Sequence, residues 1–163
     1  MSKLKSQVFL IDADSWIACH EERYPIDVFP GLWDCIQDAA LDEVIRTPRQ
    51  AIQETGPGKG GVSAWIRMQH PSIILHETRD VARRMAEVVL KFPTMTHGVA
   101  ESADPWLVAH AMGMSGAIVV TEESRGLKRG GHPRLPEVCA AFKVRSMNVL
   151  RDVSPAPVEA EEA

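Results

Sequence analysis

The chain has 163 residues, of which 45% are hydrophobic and 25% are charged, and its formal net charge is −4. This length and composition are typical of one globular domain with a self-sufficient core. The negative balance excludes a globally basic nucleic-acid-binding protein, although it is compatible with a local basic patch. We expect residues 1–152 to form the domain, and residues 153–163, which are rich in alanine and glutamate, to form a disordered tail.

Cysteine usage and hydropathy indicate the compartment. The three cysteines are odd in number and widely spaced, a pattern that favours reduced thiols over a disulfide framework or a zinc ribbon. No secretory signal precedes the first apolar run, and no apolar stretch reaches membrane-spanning length. We therefore expect a cytoplasmic protein that does not associate with membranes.

Short apolar runs alternate with helical patterns in the first half of the chain. Val8–Ile11 is an uninterrupted apolar run, the pattern of a strand buried in a parallel sheet. Helices are expected over 15–22 and 31–41. After a short strand at 43–47, we expect Thr47 to cap a third helix that begins at Pro48 and ends at the glycines around 56–58. A helix over 63–69 and an extended connection at 72–75 follow.

The alternation continues to the end of the chain. We expect helices over 78–92, from a cap at Ser102 to Met112, and over 135–142. A second buried strand is expected at 116–121 and a last strand at 144–147, separated by a loop at 122–134 that is rich in glycine and basic residues. The pattern predicts a three-layer α/β/α domain with a central, mainly parallel sheet.

Four acidic residues follow the predicted strands or lie about one helical turn beyond them: Asp12, Glu54, Asp104 and Glu122. Ligands of open parallel sheets gather at the carboxyl ends of the strands. Carboxylates brought together there repel one another unless a cation or a proton intervenes. Mg²⁺ prefers such oxygen ligands, so the pattern favours a site for Mg²⁺ or Mn²⁺ that assists phosphodiester hydrolysis.

The order of these acids resembles that of the PIN-domain nucleases (PilT N-terminal domains). The segment 104–111, Asp-Pro-Trp-Leu-Val-Ala-His-Ala, resembles the family's aspartate-led helix, and Val-Val-Thr-Glu at 119–122 resembles its strand end. This likeness covers residues 7–148. A closer likeness is to a bacterial PIN-like family of unknown function, through Ile-Asp-Ala-Asp at 11–14, Tyr-Pro-Ile-Asp at 24–27, Pro-Gly-Leu-Trp at 30–33, and the segment 135–144.

The resemblance implies a PIN-like fold and a Mg²⁺- or Mn²⁺-dependent endoribonuclease, whose metal ligands and catalytic residues are Asp12, Glu54, Asp104 and Glu122. Three further residues are expected to support these ligands. Asp14 would cap a helix or lie just outside the metal ligands, and Thr121 would hydrogen-bond either a metal-bound water or a nearby backbone group. Glu123 would compete with Glu122 for the same role. RNA is the implied substrate. The resemblance is also compatible with the toxin of a toxin–antitoxin pair, with an antitoxin protein as partner, and it leaves a homodimer open.

Each acid also has an ordinary structural explanation: Glu54 as an exposed acid at a helix end, and Glu122 with Glu123 as a solvated loop pair. Asp12 is a good helix cap, although Asp14 or Ser15 could cap instead and leave it free. The helix dipole alone favours Asp104 by ~0.3–1 kcal/mol. A rival function is a non-catalytic PIN-like module that binds nucleic acid or protein. A phosphatase ranks third, because its Asp-x-Asp-x-Thr signature is only half present and has Trp16 in place of the threonine.

Basic residues follow the fourth acid closely. We expect the side chains of Arg125, Lys128, Arg129 and Arg134 to contact a nucleic-acid backbone. Lys59 is also expected to contact the nucleic-acid backbone. It lies in a glycine-rich segment that lacks the spacing of a nucleotide-binding P-loop, and we expect that segment to be a flexible flap near the site. No pair of histidines has the spacing of close metal ligands.

Overall fold

The computed structural model of the chain describes residues 7–56, 61–96 and 102–149. The expected tail at 153–163 and the expected flap residue Lys59 lie outside these ranges. Five strands form one sheet in the order β3-β2-β1-β4-β5, and every pairing is parallel. They are β1 (Val8–Ile11), β2 (Ile45–Pro48), β3 (Ile74–Leu75), β4 (Ala117–Val120) and β5 (Arg145–Met147).

Seven α-helices flank this sheet in the described part of the chain. They are α1 (Ala13–Ile17), α2 (Pro30–Leu41), α3 (Arg49–Glu54), α4 (Val62–Met68), α5 (Arg79–Lys91), α6 (Ala103–Met112) and α7 (Leu135–Ala141). A π-helical segment, Ala18–Arg23, continues α1, and single 3₁₀ turns occupy Pro71–Ile73 and Pro93–Thr96. Within the three described ranges, no helix has both the length and the apolar character needed to cross a bilayer.

Two hydrophobic clusters lie on opposite faces of the sheet. On one face, Leu10 and Val119 of the central strands pack with buried residues of α5, α6 and α7. On the other face, Trp16, Trp33 and Ile66 of α1, α2 and α4 form the cluster. The successive side chains of a strand point to opposite faces, so β1 contributes Leu10 to the first cluster and Ile11 to the margin of the second. The expected three-layer α/β/α fold is confirmed.

The start of the third helix differs from the sequence-based expectation. Strand β2 continues to Pro48 and helix α3 begins at Arg49, so the expectation that Thr47 caps this helix is wrong. Thr47 is fully buried, and its hydroxyl donates to the carbonyl of Ile11 at 2.9 Å. Parallel pairing of β2 with β3 extends the strand past Thr47, and its hydroxyl bonds the neighbouring strand instead of the helix.

The strand order places a crevice between two central strands. Successive strands are added on one side of β1 up to β3, and the chain then returns to the other side of β1 to form β4. Such a switch point leaves a crevice outside the carboxyl ends of the two strands that flank it, and ligands of open α/β sheets bind there. Asp12 follows β1 and Thr121 follows β4, so both residues lie at this crevice.

Candidate functional site

Three alanines bring the helix ends of the site together. Ala13 of α1, Ala51 of α3 and Ala103 of α6 are buried in one small cluster. A methyl side chain lets helix backbones approach closely, whereas a larger residue would hold them apart. Asp12 and Asp104 each adjoin one of these alanines, and Glu54 lies one helical turn beyond the third. The packing of small residues therefore gathers three of the four predicted acids.

Asp12 is buried directly after β1. Its backbone N–H donates to the carbonyl of Val120 at 3.1 Å, and its Oδ1 accepts from the backbone N–H of Ser15 at 2.7 Å. Asp12 is thus itself the N-cap of α1, and neither Asp14 nor Ser15 takes that role. Burial raises the pKa of Asp12 to about 6, although hydrogen bonds from Ser15 and Thr121 act in the lowering direction.

Asp104 lies in the first turn of α6. Burial raises the pKa of its carboxyl to about 7, the negative charges of Glu123 and Asp12 add to the rise, and the cation of Lys128 opposes it. Within residues 7–56, 61–96 and 102–149, no hydrogen bond or ion pair reaches the Asp104 carboxylate. Asp104 is therefore a desolvated acid that faces other acids and has no directly bonded cation in the described part of the chain.

Glu54 closes α3 and caps another helix. Its Oε1 accepts from the backbone N–H of Ala103 at 2.7 Å, whereas the side chain of Ser102, the expected cap of α6, makes no capping hydrogen bond. Burial raises the pKa of Glu54, and its charge in turn contributes to the raised pKa of Asp104. One carboxylate oxygen of Glu54 is thus engaged in structure, at the edge of the acid group.

Glu122 and Glu123 point in different directions after β4. Arg23 of the π-helical segment donates from Nη2 to Oε2 of Glu122 at 2.6 Å, so this carboxylate already has a cationic partner. Glu123 accepts from the backbone N–H of Leu135 at 2.6 Å and pairs with Nζ of Lys128 at 2.8 Å. Its charge raises the pKa of Asp104. The structure therefore brings Glu123, and not the predicted Glu122, together with Asp104.

The other two supporting residues lie beside the acids. Thr121 is fully buried, and its Oγ1 accepts from the backbone N–H of Glu123 at 3.1 Å. This is the local hydrogen bond that was one of the two roles expected for Thr121. Asp14 is exposed, and its charge raises the pKa of both Asp12 and Glu54. Thr121 helps to orient the loop that carries Glu123, and Asp14 adds negative charge at the rim.

The predicted basic residues have different surroundings. Lys128 is paired with Glu123, and Nε of Arg134 donates to the carbonyl of Leu127 at 3.4 Å within the same loop. Arg125 lines a groove beside Glu123. Arg129 is exposed on the loop. Arg23 and Arg145 had no signal in the sequence, because neither stands in a motif or beside a predicted acid. Lys143 stands in the segment 135–144, which supports the family resemblance but assigns this lysine no role.

The donors at the crevice suit a hard divalent cation in charge and type. Among the described residues, no group of three or more His, Cys, Asp or Glu side chains is arranged so that it could hold a metal ion as it stands. Mg²⁺, however, keeps several waters and commonly binds through one or two carboxylates together with substrate phosphates. Asp12 and Asp104 supply two such carboxylates; burial raises the pKa of both, and at Asp104 the negative charges of Glu123 and Asp12 add to the rise.

The fold and the crevice define an open parallel α/β protein with clustered acids at the switch point between β1 and β4. The chain matches the family described as a domain of unknown function (DUF4411) over residues 9–154. This match covers most of the sequence, and the chain belongs to that family. Among curated proteins, none matches this sequence.

Proposed function

We propose that the chain is a Mg²⁺- or Mn²⁺-dependent nuclease that hydrolyses RNA phosphodiester bonds, related to the PIN-domain nucleases. One observation carries the proposal. Asp12 and Asp104 come from distant parts of the sequence, meet at the crevice, and have pKa values raised to about 6 and about 7. Buried acids that repel one another are costly to maintain for stability alone, and a bound cation relieves that cost.

The acids would hold the cation at a fixed position relative to the RNA strand. A divalent cation at Asp12 and Asp104 would polarise a phosphoryl oxygen and assist attack by water. The hydrogen bond from Ser15 fixes the carboxylate of Asp12, and the bond from Leu135 fixes that of Glu123 on the side of β4. Ligands that are already positioned need little reorganisation during the reaction.

Cleavage of a labelled single-stranded RNA by the purified protein tests this function. We expect cleavage with Mn²⁺ or Mg²⁺, none with EDTA, and a loss on the order of a hundredfold or more in Asp12→Asn, the scale on which groups that stabilise transition-state charge act. Asparagine caps helices as well as aspartate does, so this variant should remain folded. Asp34→Asn makes the same charge change at an exposed residue of α2, and it should keep most of the activity.

The possible results separate the two principal functions. Equal cleavage by the parent and by Asp12→Asn would place the activity outside this crevice. A parent protein that binds RNA, but cleaves none with any divalent ion, would favour the non-catalytic PIN-like module. The toxin role, the antitoxin partner and the cytoplasmic location stay expectations from the resemblance, and the proposal does not depend on them.

A further inference from the structure

A groove with a volume of about 620 Å³ runs along β5, the edge strand of the described sheet, and begins at Glu123. Its lining comes from β5, from residues 123–125 of the loop after β4, and from α7 with the turn that follows it. The volume lies in the range of ~300–1,000 Å³ that is usual for ligand sites. Glu123 belongs to the groove lining and its charge raises the pKa of Asp104, so this end of the groove lies near the acid crevice.

The groove carries positive charge in a protein whose net charge is −4. Arg125, Lys143 and Arg145 line it, and all three side chains are exposed. Within the described residues, none of the three forms an ion pair. Glu123 is the acidic residue among those described in the lining, and Lys128 already pairs with it. The groove is therefore a local cationic surface that fits a polyanion.

The uncharged lining indicates which part of a nucleic acid would fit. Ser124, Ser146 and Asn148 add polar groups along the groove. No aromatic side chain occurs among its described lining residues, so bases would find no stacking surface of the kind that single-strand-binding proteins offer. Arginine, lysine, serine and asparagine are typical contacts of phosphates and sugars, which position a strand without reading its sequence.

We propose that this groove binds the phosphodiester backbone of a single-stranded RNA on one side of the acid crevice, with Arg125, Lys143 and Arg145 each contacting a phosphate. The inference extends the proposed function and rests on it only for the identity of the strand as the substrate. The groove binds the RNA strand beside the acids, and its affinity depends little on which bases the RNA carries. On this side of the crevice, the groove selects substrates by their charge and by whether they are single-stranded.

The backbone at Lys143 provides a way to separate binding from folding. Lys143 follows α7 with φ 58°, a left-handed conformation that favours glycine. Two hydrogen bonds close the turn, from Lys143 N to Ala140 O at 3.1 Å and from Val144 N to Cys139 O at 2.9 Å. Lys143→Gly should therefore raise the melting temperature by about 2 °C, while it removes one cation from the groove.

A matched control exists at the end of α2. Glu43 has φ 59° and lies in the same kind of turn, closed by Val44 N to Ala39 O at 2.8 Å. Glu43→Gly relieves the same strain at a position outside the groove lining. We expect a similar rise in melting temperature and no loss of RNA affinity. The two glycine variants share the backbone change and differ in the charge that each removes.

Fluorescence anisotropy with a labelled 2′-O-methyl oligouridylate of about twelve nucleotides tests the groove. This RNA resists cleavage, and EDTA in the buffer makes the measurement independent of metal and of activity. Lys143→Gly and Arg145→Gln should each weaken binding about fivefold at 0.1 M salt and lower the slope of log affinity against log salt by about 0.7. The double variant should lower the slope by about 1.4.

The failures of the groove and of the proposed function are distinguishable. Unchanged salt slopes in both single variants would overturn the groove assignment even if the parent cleaves RNA. Lowered slopes, together with a parent that never cleaves, would support the groove and overturn the nuclease. Oligoadenylate should bind within about threefold of oligouridylate, and a much larger difference would refute recognition through the backbone. Displacement of the RNA by an equally charged oligoglutamate at the same concentration would assign the groove to an acidic protein instead.

Discussion

Replacing Asp104 with asparagine should stabilise the metal-free protein at pH 8 far more than at pH 5. Burial and the charges of Glu123 and Asp12 raise the pKa of the Asp104 carboxyl from 3.8 to about 7. The folded state therefore keeps a proton over a pH range in which the unfolded chain has lost it. Stability of the parent consequently falls as the pH rises from about 4 to about 7. Asparagine has a similar shape and does not ionise, so the variant lacks this fall.

The size of the effect follows from the pKa difference. Each pKa unit corresponds to ~1.36 kcal/mol of differential interaction between the two protonation states. Between pH 5 and pH 7 the carboxyl is ionised in the unfolded chain but only partly ionised in the folded protein. The difference in unfolding free energy between Asp104→Asn and the parent, here called the stability gap, therefore widens over roughly two pH units. Across this interval, we expect the unfolding free energy of Asp104→Asn to rise by about 2 kcal/mol relative to that of the parent. Above pH 7 both states are ionised, and the gap levels off.

Urea unfolding in the presence of EDTA, repeated between pH 5 and pH 8, measures this gap. Asp14→Asn is the matched control because it removes the same charge from an exposed side chain, and its gap should change little with pH. A difference in stability for Asp104→Asn that stays constant, or that narrows as the pH rises, would refute the argument that the half-buried Asp104 carboxyl is withdrawn from water beside other acids.

Three further outcomes follow from single contacts. Lys128→Met should tighten Mn²⁺ binding by up to about fivefold in isothermal titration calorimetry, because it frees Glu123 from a partly exposed ion pair worth ~1 kcal/mol or less. Mn²⁺ at a hundred times its dissociation constant should stabilise the parent by about 2.7 kcal/mol, and melting curves should show a much smaller effect in Asp12→Asn. Thr47→Val should lower the unfolding free energy by about 1–3 kcal/mol in urea titrations, since the buried carbonyl of Ile11 loses its donor.

The sequence was most informative where local pattern and fold agree. The apolar runs at 8–11 and 117–120 are the two central strands, because only a strand covered on both faces is uniformly apolar. Asp12 could be placed at the carboxyl end of the central strands for the same reason, since it directly follows the first of these runs. The helix that carries Asp104 also begins and ends close to its predicted positions.

The sequence could not determine contacts between distant segments. Glu122 and Glu123 are adjacent and chemically alike, and the choice between them depends on Arg23 and Leu135, which bond one side chain each. Helix α6 takes its cap from Glu54, a residue 49 positions away, rather than from the neighbouring Ser102. No local propensity contains such information, because both partners are defined only after the sheet has formed.

Strand order also decides when the acid crevice can exist. Strand β1 pairs with β4, which lies roughly a hundred residues later in the sequence, and long-range pairings of this kind form slowly because a long loop must first close. Until α6 and β4 pack against β1, water can hydrate the Asp12 carboxylate and Asp104 does not face it. The electrostatic cost of the crevice therefore falls on the last steps of folding, where a cation that binds only the completed crevice slows unfolding and leaves the folding rate nearly unchanged.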